Sequence, residues 1–65
     1  MLSEERKKKI LEMVESNGIV TINELTDMFS VSVYTIRRDL SDLQQKGLIR
    51  KTHGGAIKVE KVMWL

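Results

Sequence analysis

The chain has 65 residues, 42% of them apolar and 31% charged, with a formal net charge of +2 at pH 7 and no cysteine. That length makes one small domain near the limit at which a hydrophobic core alone holds a fold, and without thiols neither a disulfide nor a thiolate metal site can supplement it. No apolar run approaches the roughly 20 residues that span a bilayer, and charge appears by Glu4, so neither a membrane helix nor a secretory signal is expected and the default is a cytoplasmic chain.

Charge is unevenly spread. Residues 1–30 carry four Lys/Arg against six Asp/Glu, whereas residues 31–65 carry seven against three. The basic half points modestly to nucleic acid, although a solvated face would give the same sign.

In chain order, Ser3 with Glu4 and Glu5 reads as an N-cap with acids in the first turn, opening a helix to about Ser16. Ile10, Leu11, Met13 and Val14 supply its buried stripe. The run Arg6-Lys7-Lys8-Lys9 spreads around the helix and reads as a solvated face, with a few phosphate contacts as the alternative. Asn17-Gly18 ends the helix. Ile19-Val20-Thr21 is a short β-branched strand, and Thr21 with Glu24 makes a capping box that starts a second helix at Ile22, running to about Phe29. Ile22, Leu25, Met28 and Phe29 fit one face of it. Ser30-Val31-Ser32 leaves room for a tight turn only, with Val31 plugging the angle between two helices.

The third helix, residues 33–46, is the stretch the rest serves. Ser32 is a favoured N-cap and Gly47 suits the left-handed position past the C-terminus. At about 100° per residue, Val33, Ile36, Leu40 and Leu43 fall on one stripe. Tyr34, Arg38, Ser41 and Gln45 fall opposite, flanked by Thr35 and Arg37. Cations and hydroxyls cluster in its first turns, where the helix dipole is positive. Beyond Gly47 the period changes: Leu48 to His53 and Ala56 to Glu60 are extended segments around Gly54-Gly55, a hairpin signal because both turn positions can take φ > 0. The fold class is therefore α+β: three helices with a small antiparallel sheet, in the order helix, strand, helix, helix, strand, strand, a winged helix-turn-helix over residues 1–60.

Val31-Ser32, Thr35-Ile36-Arg37-Arg38-Asp39-Leu40, Leu43, Gly47-Leu48 and Thr52-His53-Gly54-Gly55-Ala56 together resemble the N-terminal DNA-binding domain of the DeoR family of bacterial transcriptional regulators. The resemblance runs from about Glu5 to Ile57. It implies operator-DNA binding, usually as a repressor of sugar or nucleoside catabolism genes. It also implies a larger domain that senses a phosphorylated sugar and drives homo-oligomerisation. Such a domain is missing here, so residues 61–65 read as the start of a linker and the isolated domain as a monomer.

The residues can be given roles. Arg38, central on the presented face, suits bidentate donation to guanine O6 and N7 and is the first candidate base reader. Tyr34 suits a base edge, a thymine methyl or a phosphate, or is simply a surface aromatic, and Ser41 is a further base-reading candidate. Ser32, Thr35 and Arg37 flank the line and suit phosphates, which fix register without reading sequence. Asp39 points away from that face toward a basic partner in the domain, and Asp42 is a candidate specificity or rim residue rather than an affinity residue. On the wing, residues 50–58, the backbone or minor-groove contacts are Arg50, Lys51, His53 and Lys58, with His53 equally a turn residue, a phosphate contact or a pH-sensitive donor.

No cofactor is called for, and one histidine without cysteines cannot supply a metal's ligands. An enzyme is excluded on inventory: there is no nucleophile with base and orienter, and no Gly-rich phosphate loop before a helix. The alternative is a protein-docking winged helix using Val62-Met63-Trp64-Leu65, with structured RNA a third option. Glu60 to Leu65 has no cap or turn signal and is expected to fray, unless Trp64 folds back onto the sheet.

Overall fold

The structure, a computed structural model, describes residues 2–59. The elements run α1 (Ser3–Asn17), β1 (Ile19–Thr21), α2 (Ile22–Phe29), α3 (Val33–Gln45), β2 (Ile49–Thr52) and β3 (Gly55–Lys58). This is the expected element order, and it makes a winged helix-turn-helix. The expectations for residues 60–65, including the frayed tail, the linker and the apolar docking patch, lie outside the described residues.

Helix α1 begins one residue earlier than its sequence suggests. Leu2 is the extended N-cap and its side chain makes no capping bond, so Ser3 is the first helical residue rather than the cap. The Leu2 carbonyl accepts from Arg6 N at 3.0 Å, which closes the first turn without help from the Ser3 hydroxyl. At the other end Gly18 takes φ 84°, and its N–H donates to Val14 O at 2.7 Å. The capping box of α2 forms as expected: Thr21 N donates to Glu24 Oε1 at 2.7 Å and Glu24 N to Thr21 Oγ1 at 3.2 Å. Thus Thr21 both ends a strand and starts a helix, which makes the β1–α2 junction abrupt.

After α2, Ser30 enters the left-handed region at φ 54°, and Val31 packs partly buried against the core. Ser32 caps α3 by accepting from Thr35 N at 3.1 Å. The helix ends at Gln45, with Lys46 as C-cap, one residue short of the expected 46. Gly47 takes φ 74°, and two bonds close a Schellman motif: Leu48 N to Leu43 O at 3.1 Å and Gly47 N to Gln44 O at 2.9 Å.

The sheet order is β1-β3-β2, all antiparallel, so β3 is central. Its hairpin differs from the sequence reading. Thr52 pairs with Gly55, which leaves His53 and Gly54 as the turn, and neither Gly54 nor Gly55 has a positive φ. Gly55 is required for another reason. It pairs with Thr21 as well, and a Cβ there would lie 1.9 Å from Val20 O. The glycine allows a third strand to approach.

The core holds Ile10, Val14, Val20, Ile22, Leu25, Ile36, Leu40, Leu43, Ile49 and Ala56. Two expected core positions and one expected surface position are corrected. Met28 is 57% exposed because the eight-residue α2 has only one flank against the core, and Val33 is 42% exposed. The buried positions of α3 are Ile36, Asp39, Leu40 and Leu43, the i, i+3, i+4, i+7 set of one helical face, and this set turns Val33 outward. Arg6 is not on a solvated face: it is 9% exposed, aligned with Ile10 and Val14 along the inner row of α1.

Candidate nucleic-acid interface

Because α3 buries Ile36 and Leu40, it presents the opposite face. Tyr34 is 73% exposed there, and Arg37 and Arg38 are exposed beside it. Ser32 and Thr35 are occupied with each other: besides the cap, their hydroxyls lie 3.1 Å apart. Val33, which sequence periodicity assigns to the core, joins Tyr34 at the exposed start of the helix. The signal for it was the alternative stripe through Asp39, which hydrophobicity alone overlooks.

Both acids of α3 are neutralised from α1. Asp39 is buried against Arg6, whose Nε and Nη2 donate to its two carboxylate oxygens. This is the basic partner expected for Asp39. Asp42 Oδ2 lies 2.9 Å from Lys7 Nζ. The hydrogen bond from Lys7 holds the Asp42 carboxyl below the usual aspartate range, and Arg38 and Lys46 reinforce it through space. The same bond raises the Lys7 ammonium. By contrast, Arg37 and Arg38 have no ion-pair partner among the described residues. The outer face of α3 is therefore more cationic than its composition suggests.

The wing is joined to that face by two bonds. Lys51 N donates to Gln44 Oε1 at 2.7 Å, and Lys51 Nζ donates to Ser41 Oγ at 2.9 Å. Register explains this, since Lys51 lies opposite the buried Ala56 and so shares the sheet face that meets the helices. Gln44, to which helical periodicity assigns no role, fixes the β2 backbone to α3. The Ser41 oxygen accepts from Lys51, so its own proton remains for an outside acceptor.

The ten sequence-selected residues are not all brought together. Arg37, Lys51 and His53 line one groove of about 320 Å³ between the start of α2, α3 and the wing turn. Tyr34, Thr35 and Arg38 border a second cleft, between α3 and α1. Arg50 and Lys58 instead line a depression with Ile57 and Val59, at the end of the hairpin away from its turn. Lys58 Nζ also lies 3.7 Å from Glu15. Among the described residues, no three His, Cys, Asp or Glu side chains are grouped to hold a metal ion, and no helix is long and apolar enough to cross a membrane.

Residues 6–62 match the DeoR-like helix-turn-helix domain family. The chain is 45% identical over 60 residues to the transcriptional repressor AccR of Agrobacterium fabrum, covering 92% of this chain and 23% of that one. It is 44% identical over 59 residues to a putative galactitol utilization operon repressor of Escherichia coli, covering 91% of this chain and 53% of that one. It is 45% identical over 56 residues to the lactose phosphotransferase system repressor of Lactococcus lactis, covering 86% and 22%. The chain thus spans about a quarter of the length of most of these relatives. No solved structure matches it.

Proposed function

Since the chain belongs to the DeoR-like helix-turn-helix family, whose members are DNA-binding transcriptional regulators and not enzymes, we propose that it binds an operator duplex sequence-specifically and serves repression of carbohydrate or nucleoside catabolism genes. The names of the galactitol and lactose-system repressors support the carbohydrate side. In this reading α3 enters the major groove and the wing lies on the backbone or in the minor groove. Arg38, Tyr34 and Ser41 read bases, and Val33 offers an apolar contact for a thymine methyl. Ser32, Thr35, Arg37, Arg50, Lys51, His53 and Lys58 meet the sugar-phosphate backbone. A phosphorylated-sugar effector and homo-oligomer contacts belong to a domain outside this chain, and the site of action is the cytoplasmic nucleoid.

What carries the reading is the outer face of α3, where Arg37 and Arg38 project without an ion-pair partner among the described residues while both acids of the helix are drawn to α1. Selection of bound duplexes from a random pool, followed by titration at two salt concentrations, tests it. A recovered consensus is expected, with affinity falling steeply as salt rises because bound phosphates release counterions. Absence of any consensus, with binding indifferent to salt, would favour a protein-docking winged helix instead.

A further inference from the structure

Two consecutive residues of α1 grip two residues one turn apart on α3: Arg6 holds Asp39 and Lys7 holds Asp42. From this we propose that Arg6 and Asp39, supported by Lys7 and Asp42, are positioning residues for sequence reading. They set the rotation of α3 about its axis and so the aim of Arg38. The inference rests on the operator-binding reading above.

The geometry separates this role from simple cohesion. The apolar contacts of Ile36, Leu40 and Leu43 hold α3 on the core but are non-directional, and a helix can roll on such a surface at small cost. The Arg6–Asp39 pair is directional, since two nitrogens of one planar group meet both oxygens of one carboxylate. A single grip would still permit pivoting. The second, at Asp42, removes that freedom. Asp39 directly follows Arg38, so what fixes Asp39 fixes where the next residue back emerges. Rolling α3 by about 15° would carry a group about 6 Å from the helix axis through about 1.5 Å. That exceeds the tolerance of a hydrogen bond, so a bidentate base contact, which needs two nitrogens of one planar group aligned with two base atoms, would be lost, while phosphate contacts, less directional and spread over many groups, would adjust.

The pair is also poorly suited to being a net source of stability. Asp39 is 3% exposed and Arg6 9%, so both charges have been taken out of water, and such pairs are often replaced by apolar residues without loss of stability. Among the described residues no buried side-chain polar atom lacks a partner, so the pair is fully satisfied and its loss in one partner alone would leave a bare charge. Single substitutions therefore confound folding with function.

The test is the double variant Arg6→Met/Asp39→Leu of the whole chain, compared with the parent for thermal midpoint and for affinity on the selected duplex and a random duplex. The expected result is a thermal midpoint at or above the parent's, random-duplex affinity within about twofold, and a cognate-to-random ratio lower by roughly tenfold or more, the size of one lost bidentate base contact. A folded double variant that keeps the parent's ratio overturns the positioning role, and so does one that fails to fold, since the pair would then be a stabilising contact. A parent ratio of one would instead retire the operator reading itself, which keeps the two failures apart.

Discussion

Arg38 and Lys51 carry the same formal charge but stand differently toward a duplex, one mid-face on α3 and the other bonded across from β2 to Ser41. Arg38→Ala is expected to cost about 1–3 kcal/mol on the selected duplex and much less on a random one. Lys51→Ala is expected to weaken both alike and to lower the salt slope by about 1. The cognate-to-random ratio for each variant decides, and an Arg38→Ala ratio equal to the parent's would shift the reading role to Tyr34 and Ser41. For Val33, the probe is the duplex rather than the protein. Replacing each thymine of the consensus by uracil deletes one methyl, and one such position is expected to lose affinity with the parent but not with Val33→Ala. Asp42 gives a pH dependence with a definite sign. Its folded-state pKa lies below the unfolded one, so its contribution is complete above the usual aspartate range and is lost as pH falls through the lowered value. Asp42→Asn should accordingly flatten the acid limb of the thermal-midpoint curve; an unchanged limb would count against the Lys7 pairing.

At the scale of elements, the hairpin separates two glycines that look interchangeable in sequence. Gly54 sits in the turn with nothing within 4 Å of a Cβ built on it, while Gly55 is pressed against the Val20 carbonyl. Gly55→Ala must push β3 away from β1 and is expected to destabilise by about 2–3 kcal/mol or more, as overpacked sites do. Gly54→Ala should stay within about 1 kcal/mol. Urea midpoints of the two variants check this, and equal midpoints would mean that β1 is not held against β3 as described. The same elements show why the wing is a dependable part of the surface. Lys58 N donates to Gly18 O at 2.9 Å and Gly54 O accepts from Ile22 N at 2.8 Å, so the hairpin is fastened near both its open end and its turn.

For the whole molecule, one copy presents one α3 and one wing, so under the proposed function it offers a single reading helix. Helix-turn-helix proteins commonly bind as dimers over half-sites roughly 34–36 Å apart, and a single module forgoes the free energy of the second half-site. Binding of the selected duplex by a monomer of this chain is expected to be in the micromolar range at physiological salt, with a random duplex bound more weakly still. Sedimentation alongside the titration checks it, and nanomolar affinity from a strictly monomeric species would refute it. Covalently pairing two copies through a flexible linker should recover affinity only on duplexes with two correctly spaced sites.

Local chemistry is what the sequence determined unaided. The capping box at Thr21 and Glu24, the Ser32 cap, the left-handed glycines at 18 and 47 and the change of period after Gly47 each depend on residues within a few positions of one another, so element order and fold class were legible. The family resemblance added the DNA-binding expectation. Tertiary structure alone decided whatever depends on which residues meet across the chain. Val33 faces out because Asp39 goes in, and Asp39 can go in only because Arg6 waits 33 positions away to share its charge. Gly55 is needed because β1, far off in sequence, pairs beside it. The wing cations part company because antiparallel register sends Lys51 toward α3 and Arg50 to the opposite face. Hydrophobic period and composition cannot see these pairings: a charge is read locally as solvated, and only a partner brought by the fold makes its burial affordable.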